Sequence, residues 1–101
     1  MPSDESVLES VKNIIQGITY RKMVGEYLLY KDGKLFGGIY DNRLLLKITK
    51  ASARIDEWPL AFPYEGGTEM VMVTEPYDLV LLNKVVNEML LVLPMGKSKK
   101  R

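Results

Sequence analysis

Two turn dipeptides, Asp32-Gly33 and Asp41-Asn42, place the strongest constraint on how this chain folds. They separate three runs rich in β-branched, aromatic and leucine residues, at residues 20 to 30, 35 to 40 and 43 to 49. Asp, Asn and Gly tolerate the positive φ angles that tight hairpin turns require. The middle of the chain is therefore predicted to form a three-stranded antiparallel meander with one buried face and one at least partly solvent-exposed face.

Helical spacing of apolar residues flanks this meander on both sides. A first helix is predicted over residues 4 to 16, with Ser3 as a candidate N-cap, and the longest helix runs from residue 77 to about 93, where Pro94 ends it. Between them we expect a short helix at residues 51 to 57, an extended piece at 62 to 64 and a strand at 69 to 73. The predicted class is α+β, a single mainly antiparallel sheet of four to five strands in the order α-β-β-β-short α-β-α.

Length and charge indicate one domain with a basic tail. The 101 residues suit a single domain over residues 1 to 96, followed by a disordered tail at residues 97 to 101. The tail holds four of the 14 Lys and Arg residues, which leaves 10 basic against 13 acidic residues in the body. No apolar run approaches about 20 residues and the N-terminus has no signal-peptide pattern, so a cytoplasmic location without membrane contact is expected.

The chain contains neither Cys nor His. Their absence excludes thiol nucleophiles, thiolate or imidazole metal sites and Ser-His triads. The adjacent acidic pairs, Asp4-Glu5 and Asp56-Glu57, point their side chains in different directions and do not form a catalytic pair. We therefore expect no catalytic residue, no metal site, no cofactor and no enzymatic activity.

Two glycine pairs lack the spacing of phosphate-binding loops. Gly37-Gly38 lies within a predicted strand, where missing side chains mark a bulge or a close approach by another backbone. Gly66-Gly67 is predicted to be a simple turn. Neither pair indicates a nucleotide site.

Two features of the first strand leave alternatives open. Glu26 lies in an otherwise apolar run, where it is either a surface group or part of a ligand pocket with Tyr27 and Tyr30. Arg21-Lys22 could contact nucleic acid together with the basic tail. The pI of about 7.9 and the acidic body lack the basic face of a dedicated nucleic-acid-binding protein.

The last predicted helix carries more apolar residues than one buried stripe requires. Residues 79 to 82 and 90 to 93 are continuous apolar runs, so some of these side chains need further cover. A second copy of the chain is one such cover, and it makes a homodimer a candidate. The candidate self-association residues are Met89, Leu90, Leu91 and Leu93.

The string Arg21-Lys22-Met23-Val24-Gly25-Glu26-Tyr27, followed by Tyr30-Lys31-Asp32-Gly33-Lys34-Leu35, resembles the TfoX/Sxy N-terminal-domain family, which is associated with regulation of bacterial competence. Gly38, Asp41, Leu46-Lys47 and Pro63-Tyr64 also match, and the similarity covers about residues 7 to 93. Val24 and Leu28 depart from the family, where Phe and Gly are common.

The resemblance implies an α+β domain with one sheet and flanking helices, and a regulator rather than an enzyme. The chain is expected to stand alone, without the C-terminal helical domain that full-length members add. We therefore expect a non-enzymatic regulatory or protein-interaction module, linked to competence or transcription regulation, with an undetermined protein partner. The candidate interaction surface consists of Arg21, Lys22, Met23, Gly25, Glu26, Tyr27 and Tyr30.

Overall fold

A computed structural model describes residues 3 to 95, in which a six-stranded antiparallel sheet packs against helices. The helices are α1 (Glu5–Ile14), α2 (Lys50–Ala53) and α3 (Leu79–Leu90). The strands are β1 (Ile18–Met23), β2 (Glu26–Lys31), β3 (Lys34–Tyr40), β4 (Arg43–Leu46), β5 (Leu60–Ala61) and β6 (Met70–Met72). The order across the sheet is β1-β2-β3-β4-β6-β5, so β1 and β5 are its edges. The predicted α+β class is confirmed, and the predicted tail at residues 97 to 101 lies outside the described residues.

The sheet has six strands, where the sequence predicts four to five, mainly because the run at residues 20 to 30 is two strands. Val24 and Gly25 form a tight turn between β1 and β2, with φ angles of 41° and 83°. A β-branched residue rarely adopts a positive φ, so Val24 gives no sequence signal for a turn. The count of six also includes β5, which has only two residues and pairs with β6.

The helices cover one face of the sheet. Leu29, Ile39 and Leu44 from the strands pack with Val11 of α1 and Val86 of α3, and all five are fully buried. Burial of side chains of this size stabilises a fold by about 1.5 to 3 kcal/mol each. This layer is the main core of the molecule.

A shorter segment covers part of the opposite face. Tyr40, Leu45 and Met70 form a second buried cluster there. The Arg43 guanidinium fixes the covering segment, because its Nη2 donates to the carbonyl oxygens of Phe62 and Pro63 at 3.1 and 3.2 Å. The two faces of the sheet are therefore protected by different means, helices on one side and a loop on the other.

Both long helices start at an aspartate. Asp4, rather than the predicted Ser3, is the N-cap of α1, and its side chain accepts from the Ser6 backbone N–H at 3.2 Å. Asp78 caps α3 by accepting from the Leu81 N–H at 3.1 Å, so this helix is shorter at both ends than the predicted 77 to 93. Among residues 3 to 95 there is no helix with the length and apolar character needed to cross a membrane.

The two glycine pairs have the predicted roles. A Cβ on Gly38 would lie 2.7 Å from the Tyr27 carbonyl oxygen, and a Cβ on Gly37 would overlap the carbonyl oxygen of Leu45. These glycines therefore allow β3 to lie close to its neighbours. Gly66, with a φ of 85°, lies in a turn as expected.

Candidate functional site

All seven residues of the candidate interaction surface lie in the hairpin formed by β1, β2 and the turn between them. The antiparallel register pairs Arg21 with Leu28, Lys22 with Tyr27 and Met23 with Glu26. Gly25 forms the turn and Tyr30 lies near the end of β2. The structure thus brings the residues into one supersecondary element, as their closeness in the sequence predicts.

Strand alternation divides these residues between the two faces of the sheet. Tyr27 is buried on the helix-covered face, where the Tyr20 ring meets it edge-on at a centroid distance of 5.8 Å. Lys22 lies on the same side as Tyr20. Arg21 and Met23 lie on the opposite side, so Arg21 and Lys22 flank the edge of the sheet from two directions.

β1 is an exposed edge strand. It pairs only with β2, and its residues 19 to 23 are all exposed. In a two-residue hairpin the pair that flanks the turn, here Met23 and Glu26, exchanges both backbone hydrogen bonds. Alternation along the ladder then directs the N–H and C=O groups of Tyr20 and Lys22 away from β2. These groups form an open row of donors and acceptors at the sheet edge.

The edge carries positive charge that no acidic side chain of residues 3 to 95 neutralises by an ion pair. The described ion pairs join Lys12 to Glu9 at 3.7 Å and Arg54 to Glu88 at 2.9 Å. Arg21 and Lys22 are in neither pair, and both are exposed.

Glu26, the first residue of β2, connects separate segments of the chain through hydrogen bonds to its side chain. Its Oε1 accepts from the Ser3 hydroxyl at 3.1 Å and from the Asp41 backbone N–H at 3.2 Å. The Ser3 backbone N–H in turn donates to the Gly25 carbonyl oxygen at 2.7 Å. Glu26 therefore links the N-terminal segment, the β1–β2 turn and the β3–β4 turn, and it holds the hairpin in place.

The ligand pocket considered from the sequence, lined by Glu26, Tyr27 and Tyr30, is not formed. Tyr27 faces the helices, whereas Glu26 and Tyr30 lie on the other face, near Tyr40. The larger contribution to the raised pKa of the Tyr40 hydroxyl is its burial, followed by the nearby Tyr64.

A cleft of about 420 Å³ lies elsewhere on this second face. Its lining residues are Leu35, Tyr40, Lys47, Ile48, Pro63, Tyr64, Thr68, Glu69 and Met70. They come from two segments, residues 35 to 48 and residues 63 to 70, so no local motif in the sequence could have marked them together. Within the part of the chain that the structure describes, no three acidic side chains gather into a metal-binding group.

Most of the candidate self-association residues are not exposed, which corrects the prediction that they form a surface. Met89 and Leu90 are buried in the chain's own core, and Leu93 is partly buried against it. Of the four candidate residues only Leu91 is strongly exposed, at 83%, and the neighbouring Val92 is 70% exposed. The prediction extended α3 to residue 93, but the helix ends at Leu90 and the fold of the chain already buries two of the four side chains.

No family model and no solved structure matches the chain. A segment of 49 residues is 45% identical to an uncharacterized 12.7 kDa protein in the trpE 5' region of Spirochaeta aurantia. The match covers 48% of this chain and 43% of the relative, so it spans less than half the length of either protein. The name of the relative assigns no activity, and the chain is similar to it over this segment.

Proposed function

We propose that this protein is a non-enzymatic interaction module in which β1 binds an extended segment of a partner protein as an additional strand. The observation that supports the proposal is the open edge of β1, six residues long with five consecutive exposed residues. Strand addition uses backbone hydrogen bonds for affinity and side-chain contacts for specificity. A regulatory role in competence or transcription, implied by the TfoX/Sxy resemblance, is part of the same proposal.

The two edges of the sheet differ in how well they suit strand addition. β5 has only two residues and follows Pro59, and short strands with nearby proline are typical protected edges. β1 has no proline and pairs with β2 through six consecutive residue pairs. Each added backbone hydrogen bond contributes about 0.5 to 1.5 kcal/mol, so several are needed and only β1 has the length to supply them.

The open edge can be tested with blocked hexapeptides of one backbone, Thr-Val-X-X-Val-Thr, in which both X residues are Glu, Gln or Lys. Binding is followed by NMR and by amide hydrogen exchange on the isotope-labelled protein. We expect a bound peptide to protect the outward amides of Tyr20 and Lys22, while protection of the amides of Arg21 and Met23, which already face β2, stays the same.

Two substitutions at one position provide a matched control. Lys22→Pro removes the outward N–H at an edge position that tolerates proline, whereas Lys22→Gln removes only the charge. We expect Lys22→Pro to weaken the binding of every peptide, seen as lower protection of the Tyr20 amide, and Lys22→Gln to retain binding of the Gln peptide. The proposal fails if no peptide alters the β1 amides, or if the folded Lys22→Pro variant binds as well as Lys22→Gln.

A further inference from the structure

We infer that the segment added to β1 is acidic, with two consecutive acidic residues between apolar neighbours. The inference rests on the proposed strand addition and specifies its partner. The charge of the edge supports it. Arg21 and Lys22 are adjacent in the strand, so they lie on opposite faces of the sheet and contact an added strand from both sides.

The nearby acids offset the positive charge at this edge only in part. Glu9 pairs with Lys12, whose Nζ lies 5.3 Å from the centre of the exposed Tyr20 ring. Glu26, on the same face as Arg21, accepts hydrogen bonds from Ser3 and Asp41. The local balance of Lys12, Arg21 and Lys22 against Glu9 and Glu26 still leaves one net positive charge, and an incoming acidic segment is complementary to it.

The order of side chains along β1 gives the order expected in the partner. Residues directly opposite each other in an antiparallel pair have Cβ atoms about 4.5 to 5.5 Å apart. Two consecutive acidic residues would therefore lie opposite Arg21 and Lys22. The flanking positions would lie opposite Tyr20 and Met23, which are 45% and 46% exposed and favour apolar contacts.

A second copy of the chain fits this edge less well. Antiparallel pairing of two β1 strands about a two-fold axis would collect four cations, Arg21 and Lys22 from each copy, at one junction. In registers centred on Arg21 or Lys22, identical charges would face each other directly, which is destabilising. The charge pattern therefore opposes self-pairing and favours a partner of opposite charge.

The three hexapeptides separate the inference from the proposed function. At low ionic strength we expect the Glu-Glu peptide to bind about three- to thirty-fold more tightly than the Gln-Gln peptide, and the Lys-Lys peptide to bind most weakly. The preference should decrease at high ionic strength. In the double variant Arg21→Gln and Lys22→Gln, the preference should disappear while affinity for the Gln-Gln peptide is unchanged.

The outcomes of this experiment distinguish the acidic partner from strand addition itself. Equal affinity for the Glu-Glu and Gln-Gln peptides would overturn the acidic partner and leave strand addition standing. Failure of all three peptides to protect the Tyr20 and Lys22 amides would remove the proposed function itself. If a short single-stranded oligothymidylate displaced the Glu-Glu peptide from these amides and bound more tightly, the edge would be a nucleic-acid contact and the inference would be wrong.

Discussion

Gly37 has no space for a side chain, because β3 and β4 approach each other so closely that a Cβ would overlap the Leu45 carbonyl oxygen. Backbone atoms cannot move aside as a flexible side chain can, so the strands would have to separate. We expect Gly37→Ala to lower the free energy of unfolding by about 3 kcal/mol, measured by urea denaturation.

Gly66→Ala is the matched control for this prediction. A Cβ there has no neighbour within 4 Å, but the φ of 85° is strained for Ala. The expected loss is about 1 to 2 kcal/mol, from the backbone alone. A Gly37→Ala variant that lost less stability than Gly66→Ala would show that β3 and β4 are not so closely packed.

Glu26 illustrates what a single residue in a sequence cannot reveal. Its position in an apolar run marks it as unusual, but its partners, Ser3 and Asp41, lie 23 and 15 residues away. Val24 shows the same limit for the backbone, since 98% exposure and a positive φ are unusual for Val. Both residues take their roles from the tertiary fold.

The last turn of α3 and the residue that follows it carry side chains of two kinds, buried and exposed, and substitutions distinguish them. Met89 is fully buried among core residues, so Met89→Ala should lower the free energy of unfolding by about 2 to 5 kcal/mol. Leu91 follows the helix and is exposed, so Leu91→Ala should change it by less than about 0.5 kcal/mol. Chemical denaturation of both variants measures the difference.

A large loss from Leu91→Ala would show that this side chain is covered in solution, for example by a second copy of the chain. Light scattering over a range of protein concentrations would then detect the dimer. A small loss from Met89→Ala would contradict the packing of α3 on the sheet.

At the level of elements, turn chemistry was the most informative part of the sequence. Asp32, Gly33, Asp41 and Asn42 all have positive φ angles, between 53° and 76°, as their turns require. The sequence therefore predicts the β2–β3 and β3–β4 hairpins. The Val24-Gly25 turn was missed because its first residue avoids this conformation in most proteins.

The candidate site was predictable to the same extent. The hairpin residues are consecutive, so the sequence places them on one element, but it does not reveal that β1 is an edge strand, because edge position depends on the order of all six strands. The second-face cleft was not predictable, since its lining residues Lys47 and Glu69 come together only through the tertiary fold. Local patterns specify elements, and long-range packing specifies which of them are exposed.

The fold buries the hydroxyls of Tyr40 and Tyr77 in part, and this affects the stability of the whole molecule at high pH. Burial, followed by the charges of Tyr64, Glu26 and Tyr30, raises the pKa of Tyr40. Burial, followed by Glu75, raises the pKa of Tyr77. In the unfolded chain both hydroxyls titrate at about pH 10. Because the folded state holds these protons more tightly, the unfolded state releases them first as the pH rises.

The contribution of Tyr40 is therefore fully present below about pH 10 and is lost as the pH rises from there through the folded-state pKa. We expect the free energy of unfolding of the native chain to fall between about pH 8 and about pH 10.5, and Tyr40→Phe to show a smaller fall over the same range. Urea denaturation at both pH values measures the fall in the free energy of unfolding for each protein. The contribution of lysine titration is the same in both proteins and cancels in their difference. If Tyr40→Phe loses as much stability as the native chain over this pH range, Tyr40 does not hold its proton more tightly in the folded state than in the unfolded state.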